Sequence, residues 1–205
     1  MSLINTPRQP SSSGWRAILW IRDLLFLAGV VALTYVGYTL LEARQTLVVA
    51  DQVIATAAAP ADGSSGPQRL APLHRGDVIG RLDIQRLGLS VPVLQGTSSR
   101  ILRLGAGHIE GTPLPGEPGN SGVAGHRDTF FRSLKDIRTQ DEILLQTPGR
   151  VLRYTVDWVK VVDPADLSVL AASGDTPTLT LVTCYPFYMV GPAPRRYVVH
   201  AQLRE

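Results

Sequence analysis

The chain has 205 residues, 44% of them hydrophobic and 18% charged, with a formal net charge of +3. That length suits one ordinary domain plus an appendage, and the apolar share excludes a disordered chain. The charge balance excludes a nucleic-acid partner: from Leu73 onward 15 Lys and Arg face 13 Asp and Glu, and no basic run is interleaved with aromatics.

Residues 1–14 are polar and hold two prolines, which predicts a disordered tail. The stretch "LLFLAGVVALTYVGYTLL", residues 24–41, is apolar and uncharged. Its length of about 18 residues is near the lower limit for a helix that spans a bilayer. Trp15 and Trp20 ahead of it, and Tyr35 and Tyr38 near its far end, suit the two interfaces. Arg8, Arg16 and Arg22 precede it, so the positive-inside rule keeps the amino terminus in the cytoplasm. The competing reading is a cleaved signal peptide. "EARQTLVVA" is a poor cleavage site for that, while "ATAAAPA" further on could be cut. Both readings export the domain on the carboxyl-terminal side. The expected organisation is a cytoplasmic tail over 1–23, a transmembrane signal anchor over 24–41, an extracytoplasmic helix and flexible linker over 42–72, and a folded domain over 73–205. The linker is expected because residues 56–72 are rich in Ala, Pro, Gly and Ser.

Within the domain, "DVIGRLDI" and "LSVPVLQG" are predicted strands joined by the polar turn at residues 85–88. "SSRILRL" is a brief helix opened by a serine cap. "GAGHIEGTPLPGEPGNSG" has the glycines and prolines of a long ordered loop. "GVAGH" is a short strand, and "DTFFRSLKDI" a loop with one helical turn, where Asp128 or Thr129 could cap the turn or orient His126. "DEILLQT" and "RVLRYTVDWVKVVD" form a hairpin around Pro148-Gly149. "DPADLSVL" reads as a short helix started by Asp-Pro. "TPTLTLVTC" and "RRYVVHAQL" close the domain as two strands. Many short strands and few helical patterns predict an all-β barrel or sandwich. Alternation puts Leu179, Leu181 and Thr183 on one face of their strand and Cys184 on the other. In the last strand it separates Tyr197, Val199, Ala201 and Leu203 from Arg196, Val198, His200 and Gln202. With the apolar faces turned inward, Cys184 and Arg196 both face outward.

Cys184 is the single cysteine. An exported chain with one thiol forms no internal disulfide, which leaves an intermolecular partner, a reactive group or a small buried hydrophobe. A thiolate needs a histidine or a cation beside it to serve as a nucleophile near neutral pH. His126, where a strand meets a loop, is the best placed of the four histidines. His74 is expected to be exposed at the domain entrance, His200 to lie on the last strand, and His108 to sit in the Gly/Pro loop. No His-x-x-x-His pair occurs, there is no second cysteine, no phosphate-cradling loop occurs, and there is no Gly-x-Ser-x-Gly elbow. No metal and no cofactor are therefore expected.

"TLVTC" at a strand end resembles the cysteine signature of sortases. "GHRDTFFRSL" resembles their catalytic-histidine segment and "APRRYVVHA" their arginine segment, all in the family's order. "GTPLPGEPGNSGVAGHRDTFFRSLKDI" with "TLVTCYPFYMVGPAPRR" looks most like class D sortases, which are cysteine transpeptidases. The resemblance covers residues 77–203. It implies a closed sortase-type β-barrel with a few short helices, preceded by one transmembrane helix. Carried over by position, it implies that Cys184 is the nucleophile, His126 the general acid and base, and Arg196, rather than its neighbour Arg195, the catalytic arginine. His108, Thr183, Tyr185 and Arg195 are candidates for contact with the substrate. The implied substrates are secreted proteins with a C-terminal sorting signal of the Leu-Pro-x-Thr type. They would be joined to an amine acceptor such as a cell-wall precursor, by an enzyme held at the outer side of the cell membrane. Pilus-polymerising members often carry an Asp-Pro-aromatic lid motif, and residues 42–76 hold none, which favours attachment of single proteins. Two alternatives stay open: a hydrolytic cysteine peptidase that does not transfer, and a non-catalytic membrane-tethered binding domain with Cys184 inert.

Overall fold

Period-two alternation of apolar and polar residues builds the main unit of the chain. The structure, a computed structural model, describes residues 18–38, 73–189 and 191–204. Residues 1–17 of the expected tail and the whole of the expected linker, 42–72, lie outside the described residues.

Helix α1 (Ile18–Tyr38) forms a unit by itself. It is 21 residues long and apolar enough to cross a membrane. It starts six residues before the expected boundary at Leu24, taking in Arg22 and Asp23. These two pair with each other, Nε to Oδ1 at 2.9 Å. Residues 39–41 of the expected span lie outside the described residues.

The second unit is a closed barrel in the order β1-β2-β3-β4-β7-β8-β6-β5. Its strands are β1 (Val78–Ile84), β2 (Leu89–Gln95), β3 (Ala106–His108), β4 (Asn120–Ala124), β5 (Glu142–Thr147), β6 (Arg150–Val162), β7 (Thr178–Tyr185) and β8 (Arg195–Leu203). Closure by β1 on β5 removes free sheet edges and decides the choice between barrel and sandwich. Alternate residues of the strands fill the interior, among them Leu82, Val91, Val93, Val123, Ile143, Leu145, Tyr154, Leu179, Leu181, Val199 and Ala201. Burial of this kind, about 1.5–3 kcal/mol for each large apolar side chain, is the main force holding the barrel.

The short helices obey local signals. Helix α2 (Ser99–Leu104) opens at Ser98, whose Oγ accepts from the Ile101 N–H at 3.4 Å. The turn at Leu167–Leu170 starts later than Asp163-Pro164 suggests: Asp166 is its cap, with Oδ1 accepting the Ser168 N–H at 3.1 Å. Part of the expected Gly/Pro loop is strand β3, because Gly107 and His108 pair with both β2 and β4.

Strands β6 and β7 both run antiparallel to β8, so they are parallel to each other. A parallel connection must cross the sheet. Residues 163–177 do so on the outer face. Asn120 Nδ2 donates to the Val169 and Ala171 carbonyls of this crossover, at 3.1 and 3.2 Å. Thr180, which alternates onto the same face as Cys184, is fully buried, and its Oγ1 donates to Asn120 Oδ1 at 2.7 Å.

Close packing requires glycine at position 80. A Cβ there would lie 2.3 Å from the Gln146 carbonyl oxygen on the neighbouring strand. Gly80→Ala is expected to cost about 1–3 kcal/mol by forcing β1 and β5 apart. Thermal denaturation checks this, and an unchanged midpoint would contradict it.

Candidate active site

Strands β4 and β7 are aligned so that Ala124 stands beside Val182. The Gly125 N–H donates to the Val182 carbonyl at 3.1 Å, which extends the alignment one residue past β4. On the other side of β7, Cys184 is directly opposite Arg196. Opposed residues share a face, with Cβ atoms about 5 Å apart. Leu181 and Val199 point into the core. Cys184 and Arg196 each stand three residues from those positions, so both face outward. Ala124 comes after the core residue Val123 and faces outward too; His126 lies two residues past the end of β4, next to Gly125, whose N–H bonds Val182. Cys184 and Arg196 are therefore neighbours on the outer wall, and the β4–β7 alignment runs toward His126 on the other side of Cys184. Cys184, His126 and Arg196 are each half-buried, shielded yet open to a ligand.

The Arg196 guanidinium uses Nη1 on the carbonyls of Ala193 (3.3 Å) and Arg195 (3.1 Å). Its Nε and Nη2 have no protein partner among the described residues. They leave two donors uncommitted on the residue opposite Cys184.

Packing fixes the path of the chain into His126. The ring of fully buried Phe131 occupies the space beside Gly125, where a Cβ would meet it at 2.6 Å. The Phe131 N–H donates to the His126 carbonyl at 3.0 Å. The next turn, Arg132–Asp136, has Phe131 at its cap position and no side-chain cap, so neither Asp128 nor Thr129 caps it.

Thr183 faces the barrel interior, 2% exposed, and its Oγ1 donates to the Gly125 carbonyl at 2.7 Å. One hydrogen bond thus joins the residue before Cys184 to the residue before His126. Thr183→Val leaves the Gly125 carbonyl unpaired at a cost of about 1–3 kcal/mol. The expected result is a lower melting temperature and a lower kcat/KM, both recovered in Thr183→Ser.

His108 is also on the inner face, paired with Val123 and 2% exposed. Its Nε2 lies 2.9 Å from the Pro113 carbonyl and 3.1 Å from Thr112 Oγ1. Thr112 spends its proton on the Ile109 carbonyl at 2.7 Å, so Nε2 is the donor here. Nδ1 lies 2.9 Å from Gln95 Oε1; in the neutral ring Nδ1 is a hydrogen-bond acceptor, so the Gln95 amide faces it with its NH2 end only once the amide is turned over. This network ties the Gly/Pro loop to the barrel and does not present His108 to the face of Cys184. Burial pushes the His108 pKa down, against the opposing pull of the Pro113 carbonyl. A base with a depressed folded pKa stabilises the fold above its ordinary value of 6.5 and loses that stabilisation as pH falls. The melting temperature is expected to drop from pH 7.5 to pH 5.5, and less steeply in His108→Gln.

Arg195 pairs with Tyr185, one residue out of phase with Cys184, so both belong to the opposite face. Tyr185 stacks on Tyr197 at 6.2 Å and meets Phe187 edge-on at 6.2 Å. Tyr197 and Phe187 pack against the core, so this aromatic group closes the barrel end beneath the outer wall. His74 is exposed. His200 is more enclosed than a simple surface residue: it stacks on Trp158 at 4.8 Å, and Nδ1 lies 2.7 Å from Asp157 Oδ1.

The family profile described as "Sortase domain" matches residues 82–204. The chain belongs to the sortase family. This sortase is 33% identical to Sortase D of Bacillus subtilis (strain 168) over 127 residues, 62% of this chain and 64% of that relative. It thus spans just under two thirds of that protein's length. A Clostridium perfringens Sortase D5 transpeptidase superposes with a TM-score of 0.60 at 32% identity, covering 65% of this chain and 82% of that one. Clostridium perfringens sortase C with its C-terminal cell wall sorting motif superposes with a TM-score of 0.61 at 28% identity, covering 80% and 90%. Within the family the chain is most like class D.

In this sortase the residue after His126 has a further function that sequence patterns do not signal. Arg127 meets no carboxylate among the described residues; it donates to three backbone carbonyls of the β7–β8 connection, those of Pro186 (3.0 Å), Met189 (2.7 Å) and Gly191 (2.8 Å). Backbone acceptors leave no mark in a sequence, so only the folded chain reveals the pairing.

Proposed function

We propose that this sortase is a membrane-anchored cysteine transpeptidase. The observation that carries the proposal is the direct pairing of Cys184 with Arg196 on the outer wall, with the β4–β7 alignment leading into His126 on the other side.

In this reading the Cys184 thiolate attacks the carbonyl carbon of the residue before the scissile bond of a Leu-Pro-x-Thr-type sorting signal. The carbonyl electrons move to oxygen, where Arg196 Nε and Nη2 offer fixed donors to the developing charge. Collapse breaks the C–N bond, and His126 gives a proton to the departing amine. The product is a thioester on Cys184. An acceptor amine then attacks the thioester carbon, His126 takes the proton it sheds, and Cys184 leaves as the free thiol or thiolate. The net change exchanges one amide for another, with no oxidant, reductant or metal required. Water competes for the same thioester, so ligation wins only where the amine is held in good geometry.

Helix α1 supports anchoring, with the amino terminus in the cytoplasm and residues 73–205 as a catalytic domain outside. Anchoring holds enzyme, secreted substrate and a cell-wall precursor amine near one surface. The test is to incubate the full chain in detergent with a panel of sorting peptides and an added amine, and to read products by mass spectrometry. A ligated product is expected. Hydrolysis alone, at saturating amine, would replace the transpeptidase reading with a peptidase.

A further inference from the structure

The connection from β7 to β8 begins two residues after Cys184 and ends just before Arg195 and Arg196. It links the thiol to the guanidinium along the chain, and any substrate lying across Cys184 and Arg196 meets it. Its tip residues Tyr188 and Met189 are 72% and 42% exposed, so apolar packing does little to hold them. What holds them is polar and comes from the histidine segment. Arg127 donates Nη1 to the Pro186 carbonyl and Nη2 to those of Met189 and Gly191. Lys135 adds a second tie, with Nζ 2.7 Å from Tyr188 Oη and 5.5 Å from the centre of its ring. The Tyr188 hydroxyl accepts this bond, and the bond raises the Lys135 pKa, so the ammonium form is the one engaged.

We propose that Arg127 is a positioning residue that latches the β7–β8 connection to the His126 segment and so holds the substrate-facing wall between Cys184 and Arg196. The role rests on the function proposed above and adds a residue to it. A guanidinium suits the task because its planar fork reaches three carbonyls at once, with little rotamer freedom lost per bond. An ammonium in its place is a compact charge that reaches fewer of them in fixed geometry. Arg127 acts on the wall, not on the thiol. Its loss therefore slows reaction with a peptide, which lies on the wall, and spares reaction with a small alkylating reagent, which needs only the thiol.

The experiment compares Arg127→Met and Arg127→Lys with the unaltered full chain, and uses Arg132→Met, an exposed arginine on the same segment, as control. Three readings are taken. Hydrogen exchange of the amides of Phe187, Tyr188 and Met189 is expected to speed up at least tenfold in Arg127→Met, with β7 and β8 unchanged. Alkylation of Cys184 by iodoacetamide is expected to stay within twofold. The kcat/KM for sorting-peptide cleavage is expected to fall ten- to a hundredfold, with KM raised, and to recover partly in Arg127→Lys. Unchanged exchange in Arg127→Met overturns the latch. Alkylation that falls in step with peptide cleavage also overturns it, because Arg127 would then act on the thiol. Full recovery in Arg127→Lys overturns the fork geometry in favour of charge alone. If the unaltered chain ligates no peptide, the proposed function fails, while exchange still reports on the latch.

Discussion

Cys184→Ala is expected to abolish both cleavage of sorting peptides and ligation, a loss of about 10^4-fold or more. The barrel should survive, since Cys184 is half-buried on the outer wall and outside the core cluster. An unchanged circular dichroism spectrum and melting temperature would show that chemistry, not folding, was lost. Mass spectrometry of the unaltered protein with a slow peptide should trap one acyl adduct, and Cys184→Ala should trap none. Activity that survives in Cys184→Ala would falsify the thioester route outright.

Arg196→Ala is the second large effect. Its side chain keeps two donors uncommitted on the residue opposite Cys184, and removing an oxyanion donor typically costs about 3–4 kcal/mol of transition-state stabilisation. A fall in kcat of about 10^2 to 10^3 is expected, with a smaller change in KM. Arg196→Lys keeps the charge and loses the planar fork, so it should recover only part of the rate. Arg195→Ala, on the opposite face by register, should stay near the unaltered rate. A reversed outcome, with Arg195→Ala severe and Arg196→Ala mild, would move the oxyanion role to the neighbour.

Strand composition and turn residues made most of the elements legible in the sequence, because a half-buried strand must alternate and a tight turn needs Gly, Pro or Asp. The Ser98 cap and the Pro148-Gly149 hairpin are local in this sense. Closure was less legible: whether β5 finds β1 or faces a second sheet is a long-range matter that alternation leaves open. Alternation did put Cys184 and Arg196 on the same type of face, but only the β7–β8 register makes them direct opposites. His108 reads as a loop residue because glycines and prolines surround it. It is a strand residue because β2 and β4 offer it backbone partners. Thr180 shares the outward face of Cys184 by alternation and is nonetheless buried, because a crossover from a distant part of the chain covers it. Arg127 was illegible for a related reason: its partners are carbonyls, which every residue type carries.

The parallel alignment of β4 with β7 has a consequence for when the protein becomes active. The bond from Thr183 to Gly125 spans 58 positions of the chain, and the contact from Gln146 to Asp83 across the barrel seam spans 63. Pairings of this range form slowly, since a large loop must close before they repay its entropy. A nascent or partly collapsed chain has its thiol but no histidine beside it. On the function proposed above, Cys184 therefore becomes a competent nucleophile only as the barrel completes its circuit.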